Sequence, residues 1–239
     1  MTFGGQTNEA DTAAMMAAFA TDERYQSIVR SDAMMDTAIM YQNGATQQLM
    51  GKILNRSSSS NISEGDDQTL PPTIKLATKA NPFTKDKDLS PSGLRRQLED
   101  SLRDLQTDAV DLFYLHAPDV NNPIGPTLET VQQLHQEGQF ERFGLSNFTA
   151  AETKQIYEYM MQRNYVVPTV YQGMYNAITR VVEAELFPTL RECNGMAFYA
   201  YNPLAGGMLT GKYMPQATDK DAAKFNATVG NRFAGKSFW

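Results

Sequence analysis

The stretch "DTAIMYQNG" (36–44) sets an aspartate five residues ahead of a tyrosine and ends on an Asn-Gly break. Two other apolar runs close on groups that hold or move protons: Lys79 ends "PTIKLATK" and His116 ends "DAVDLFYLH". A free tyrosine has a pKa near ~10 and donates a proton poorly at neutral pH unless its surroundings tune it. A neighbouring ammonium favours the phenolate and is expected to lower that pKa, while an aspartate paired with the lysine keeps the cation in place. A histidine in the same pocket can orient a carbonyl oxygen. Asp36, Tyr41, Lys79 and His116 thus form a workable proton-donating set for carbonyl reduction, with the hydride left to a cofactor because no side chain carries one. Amides at Asn147 and Gln172 can hold a nicotinamide carboxamide, and Tyr201 offers a ring to stack on it. Taken singly, each residue has an ordinary reading: Asp36 as a turn cap, Lys79 as a solvated strand end, His116 as a core histidine. Their joint placement favours chemistry. His135, inside "QQLHQEG", reads as a surface residue.

The elements that must position this set alternate along the chain. "MMDTA", "PTIKLATK" (72–79), "DAVDLFYLH" (108–116), "ERFGLSN" (141–147), "VPTVYQ" (167–172) and "GMAFYAY" (195–201) read as buried strands. Helices lie between them. Ser90 caps "SPSGLRRQLEDSLRDLQ" with Pro91 at its first position, and Leu94, Leu98, Leu102 and Leu105 recur as one apolar stripe. "TAAE" (149–152) is a capping box. "TLETVQQLHQEG" and "TRVVEAELFPTLRECNG" read as two more helices, each closed by glycine. The Ser/Asp-rich segment 55–72 reads as a flexible surface insertion. Strand and helix in alternation imply an α/β fold with parallel pairing, either a doubly wound sheet or a (β/α)8 barrel. Polar groups at every strand end favour the barrel, whose strands all open on one face.

Composition narrows the classes. A net charge of −6 over 239 residues disfavours nucleic acid. No run of eighteen apolar residues is present, so no membrane span is expected. The N-terminal residues lack a signal-peptide pattern, and one cysteine, Cys193, suits a reducing compartment; a cytoplasmic location follows. Two histidines and one cysteine leave little for a zinc site.

The runs "DTAIMY", "LATKANP", "DLFYLHAPD", "GLSNF", "PTVYQGMYNA" and "FYAYNPLAGGMLTGKY" closely resemble the aldo-keto reductases, in the branch of the aflatoxin-aldehyde and succinic-semialdehyde reductases. The resemblance runs from about residue 2 to the end, interrupted by the serine-rich segment. It implies a TIM barrel and NADPH-dependent reduction of aldehydes and dicarbonyls to alcohols. It gives Tyr41 the role of general acid, with Asp36, Lys79 and His116 tuning and orienting. It assigns nicotinamide-amide contacts to Ser146, Asn147 and Gln172, with Asp36 beside the cofactor, and stacking to Tyr201. The segment Asn202, Pro203, Leu204, Ala205, Gly206, Gly207, Met208, Leu209, Thr210, Gly211 and Lys212 matches the loop that wraps the cofactor's pyrophosphate. An aldehyde or ketone is the implied small-molecule partner, and a homodimer fits this branch.

Two departures from the family stand out. Gln47 replaces a usual glutamate, which is expected to weaken a contact at a helix start. Beyond Tyr201 only 38 residues remain, with no convincing strand. Counting "MTFG" as the first strand gives seven, so the expectation is one barrel domain (1–239) that is incomplete, without its eighth strand and C-terminal helices. On that expectation the chain is a fragment, a truncated gene model or a degenerate paralogue. The alternative function is then an impaired or regulatory cofactor-binding paralogue. A phosphate-loop reading of "GGMLTGKY" fails at Tyr213, where Ser or Thr must ligate magnesium. No G-x-G-x-x-G follows a strand, so a dinucleotide is not expected to bind in the Rossmann manner.

Overall fold

The structure, a computed structural model, describes residues 3–21, 34–58, 74–83 and 87–210. Among these, six strands form one sheet in the order of the sequence: β1 (Met34–Asp36), β2 (Lys75–Ala80), β3 (Val110–Leu115), β4 (Phe140–Ser146), β5 (Pro168–Met174) and β6 (Ala197–Tyr201). Every neighbouring pair is parallel. Six helices accompany them: α1 (Glu9–Thr21), α2 (Ala45–Ser58), α3 (Pro91–Leu105), α4 (Ile124–Gln136), α5 (Ala150–Gln162) and α6 (Leu186–Glu192).

The sheet is curled. Strands β1 and β5 are four places apart, about 19 Å in a flat sheet with strands ~4.8 Å apart. Yet the Gln172 amide on β5 donates to Asp36 Oδ1 on β1 at 3.1 Å. Two short side chains cannot bridge the flat distance, so the strands bend round an interior. The arrangement is that of an incomplete (β/α)8 barrel.

Alternation along the strands separates two layers. Leu76, Phe113, Leu115, Phe143, Leu145 and Tyr171 point outward into a large core shared with the helices. Ala77, Leu112, Tyr114 and Val170 form a smaller cluster inside the arc, with Met34 and Tyr199 against it. The expected leucine stripe of α3 is buried in full. Ser90 accepts from the Gly93 amide as its N-cap with Pro91 in the first turn, and Thr149 and Glu152 form the expected capping box on α5.

Other expectations are revised. Of "MTFG", expected as the first strand, Phe3 makes one isolated bridge with Thr7 and the chain turns at Gly4 (φ 75°), so neither joins the sheet; Met1 and Thr2 lie outside the described residues. The run "TRVVEAELFPTLRECNG" is broken: Val181–Glu183 is a 3-10 turn and α6 starts afresh at Leu186. Pro188 explains the restart, since it has no N–H and fits the first turn of a helix but not its interior. His135 is half-buried, its ring 5.3 Å from that of Phe140. Of the segment 55–72, residues Asn55–Ser58 complete α2 and the rest lies outside the described residues. Residues 211–239 also lie outside them. No helix among the described residues is long and apolar enough to cross a membrane.

Candidate active site

Six strand ends deliver the polar residues to one rim. Asp36 is the last residue of β1, after which the chain leaves the sheet and Tyr41 opens a 3-10 turn (Tyr41–Gly44). Gln42, Asn43 and Gly44 take positive φ of 51°, 55° and 93°. Asn and Gly tolerate that region, which is why the Asn-Gly pair stands at this break. The tight turn carries the phenol back over the sheet.

Lys79, on β2, is fully buried beneath it. An ammonium has three N–H donors, and here each finds an acceptor. They are Asp36 Oδ2 at 2.6 Å, the Thr37 carbonyl at 2.9 Å and Tyr41 Oη at 3.3 Å. A buried cation without such partners would be prohibitively costly. Burial pushes the Lys79 pKa down, and Asp36 opposes that through its charge and hydrogen bond.

Tyr41 departs from expectation. Its pKa is raised, chiefly by burial and then by the negative charge of Asp36. The lysine was expected to dominate and lower it; removal of the phenolate from water outweighs the ammonium. The phenol accordingly keeps its proton. Because its oxygen already accepts from Lys79, its own O–H is left to donate elsewhere.

His116 follows β3 directly, its backbone amide donating to the Ala80 carbonyl. Its ring stands edge-on to Tyr41 at 6.0 Å and to Phe83 at 5.4 Å. Burial, helped by the nearby Lys79 charge, pushes its pKa down to about 3, so the imidazole is neutral at physiological pH. Its Nδ1 is buried without a hydrogen-bond partner among the described residues.

A second group lies along the rim from β4 to β6. The Asn147 amide donates to the His116 carbonyl at 2.9 Å and to Ser146 Oγ at 3.0 Å. Tyr201 Oη donates to Asn147 Oδ1 at 2.9 Å. Ser146 and Gln172 are register partners, and Gln172 reaches the Lys79 group through Asp36. Asn202 turns the chain at φ 59°, its side chain accepting from the Gly206 amide at 2.6 Å. Pro203 and Leu204 lead into the 3-10 segment Ala205–Thr210, which contains Gly206, Gly207, Met208 and Leu209. Gly211 and Lys212 lie outside the described residues.

Sequence reasoning missed two parts of this site. The Thr37 carbonyl holds Lys79, a role no side-chain pattern signals. Phe83 stands edge-on to His116 from the loop after β2, one residue beyond the quoted "LATKANP" run. The Gln47 departure also proves different in kind: its fully buried amide donates to Thr78 on β2 at 2.6 Å, so it ties α2 to the strand that carries Lys79.

Comparison with known proteins identifies the family. The model described as the aldo/keto reductase family matches residues 1–235. Aflatoxin B1 aldehyde reductase member 2 of Rattus norvegicus is 48% identical over 85% of this chain and 51% of its own length. Aflatoxin B1 aldehyde reductase member 4 of Homo sapiens is 42% identical over 100% of this chain and 67% of its own. Aldo-keto reductase family 7 member A3 of Homo sapiens is 44% identical over 89% and 58%. The chain spans about half the length of the first of these relatives. With the family match running through nearly every residue, this chain belongs to the aldo/keto reductase family.

Proposed function

We propose that the site reduces aldehydes and ketones, dicarbonyls among them, to alcohols, with Tyr41 as the proton donor and NADPH as the reductant in the cytoplasm. The observation that carries this reading is the buried Lys79 ammonium, which binds Asp36 Oδ2 and donates to Tyr41 Oη at 3.3 Å. That contact fixes the phenol oxygen and directs its proton away from the lysine.

The residues present fit a nicotinamide. A carboxamide offers both donors and an acceptor, and Ser146, Asn147 and Gln172 supply the complementary set on adjacent strands. Tyr201 presents a half-buried ring beside them. Asn202 to Thr210, with positive φ at Asn202, Ala205, Gly206 and Gly207, turns its backbone as phosphate-binding loops do. Bound there, the reduced nicotinamide supplies the hydride that no side chain can.

The chain's own residues manage the proton. Neutral His116 orients the carbonyl oxygen near Tyr41. As that oxygen gains electron density, Tyr41 gives up its proton and the O–H bond of the alcohol forms. The phenolate left behind faces the Lys79 ammonium, which stabilises it until solvent restores the proton. A high pKa in the resting site and a stabilised phenolate at the moment of transfer are compatible. Burial protects the first, and the cation serves the second.

Titrating the 239-residue chain with NADPH by fluorescence, and following NADPH oxidation with an aromatic aldehyde, tests the reading. Binding with turnover supports it. Binding without turnover would instead favour the cofactor-binding, regulatory alternative.

A further inference from the structure

Tyr114 stands in β3 on the inner face of the arc and takes no part in the proton-donating set. It is fully buried, and its hydroxyl has no hydrogen-bond partner among the described residues. Its ring has a definite neighbour. Lys79 and Tyr114 are register partners on β2 and β3, and the Lys79 ammonium lies 5.3 Å from the ring centroid. Tyr41 offers its ring to the same ammonium at 5.1 Å. Both distances fall within the reach of a cation–π contact, which strengthens when water is excluded.

The next strand makes room for this arrangement. Tyr114 pairs in register with Gly144 on β4, where a Cβ would stand 2.5 Å from Tyr114 Cδ1. No carbon approaches a ring so closely, so the missing side chain is the space the ring fills. Lys79, Tyr114 and Gly144 thus form one level of three adjacent strands. An aromatic ring at 114 leaves room for no side chain at 144.

We propose that Tyr114 is a positioning residue whose ring forms the second aromatic wall of the Lys79 ammonium and holds it against Asp36 and Tyr41. The claim rests on the proposed proton-donating role of that group, but the contact itself needs neither substrate nor cofactor. The charges and titratable groups around Lys79 are Asp36 from β1, Tyr41 from its turn, and Tyr114 and His116 from β3 and its end. Arg142 on β4 and Tyr199 on β6 act electrostatically on the Tyr114 hydroxyl. Burial alone disfavours the ammonium; Asp36 and the two rings oppose that.

The test reads the charge of Lys79 directly. In the 239-residue chain labelled with 15N-lysine, the Nζ resonance of Lys79, assigned by its absence in Lys79→Arg, is followed against pH. A ring that stabilises the charged form raises the midpoint, so removing it lowers the midpoint. Tyr114→Leu is expected to move it down by about one pH unit, a tenfold change in proton affinity. Tyr114→Phe keeps the ring and leaves the midpoint in place. Gly144→Ala crowds the ring and moves the midpoint the same way by less. Should Tyr114→Leu not fold, Tyr114→Met fills similar space without a ring and carries the same expectation. An unmoved midpoint in the ringless variant, or an equal shift in Tyr114→Phe, overturns the proposal. Failure of carbonyl reduction would leave this titration untouched, so the two readings fall separately.

Discussion

Strands β2 to β4 and strand β6 belong to one sheet, yet their surroundings differ. The centre is covered on both faces: β3 buries Leu112, Phe113, Tyr114 and Leu115 completely, and β2 buries Lys79 with them. Strand β6 keeps two of its five residues exposed and none fully buried. The two regions hold different halves of the site. Central strands fix the group proposed to donate the proton, in which every Lys79 donor is satisfied by the protein itself. The last described strand carries Tyr201 and leads into the Asn202–Thr210 segment, whose residues are half-buried or exposed. On the proposed function, chemistry that needs a fixed distance between a cation and a phenol falls where burial is deepest. On the same proposal, recognition of a departing and returning cofactor falls where the backbone can adjust.

The sharpest way to break this division is at Tyr41. Replacing it with Phe removes the proton donor from the rigid half without touching the amides of the other half. Carbonyl reduction should fall by about 10²–10⁴-fold, while NADPH affinity stays within about twofold. Turnover at the original rate would take Tyr41 out of the mechanism. An equal loss of cofactor binding would show that the two halves are not separate.

Stability should follow the same line. Phe113→Ala opens a cavity in the outer core under the central strands and should cost about 3–5 kcal/mol in urea unfolding. Phe198→Ala on β6, where the ring is only partly buried against Tyr171, Tyr175 and Phe187, should cost about half as much. Equal losses would mean that β6 is as tightly held as β3.

Much of this was legible beforehand because strand ends in a barrel are marked by a change of residue type. Apolar runs closing on Lys79, His116, Asn147, Gln172 and Tyr201 placed those residues on one rim, and the caps at Ser90 and Thr149 placed two helices. What stayed hidden lies off the pattern. Phe3 reads as part of the first strand, but Gly4 at positive φ turns the chain there and Phe3 makes only an isolated bridge. Tyr114 reads as one more aromatic in "DLFYLH"; only register shows that it alternates inward under Lys79. The direction of the Tyr41 shift depends on how deeply the phenol is buried, which residue spacing does not encode.

His116 tests the central region by pH. Its folded pKa of about 3 lies below the unfolded value near ~6.5. On acidification the unfolded chain takes the proton first. The stability contributed by the neutral imidazole is therefore complete above about pH 6.5 and is lost as pH falls toward about 3. Urea unfolding at about pH 7 and about pH 4.5 should show a loss near ~2 kcal/mol that His116→Gln lacks. An identical pH dependence in the variant would mean that this histidine is not held neutral by the fold.

The smallest effect is expected at the other end of the comparison. Tyr201 touches Asn147 through its hydroxyl but contributes little to the core, so Tyr201→Leu should leave thermal unfolding nearly unchanged. On the proposed function its ring is the stacking face for the nicotinamide, and its loss should weaken NADPH binding about tenfold, or ~1.4 kcal/mol. Tyr201→Phe separates the two contributions. If the phenylalanine variant binds as the native chain does, the ring provides the affinity and the bond to Asn147 only steadies it. If Phe weakens binding as much as Leu, the hydroxyl matters more than the face, because freed Asn147 would no longer be held for the carboxamide. Either result refines how the edge region recognises its ligand. A large fall in unfolding temperature with either variant would instead place Tyr201 among the structural residues and erase the distinction between centre and edge.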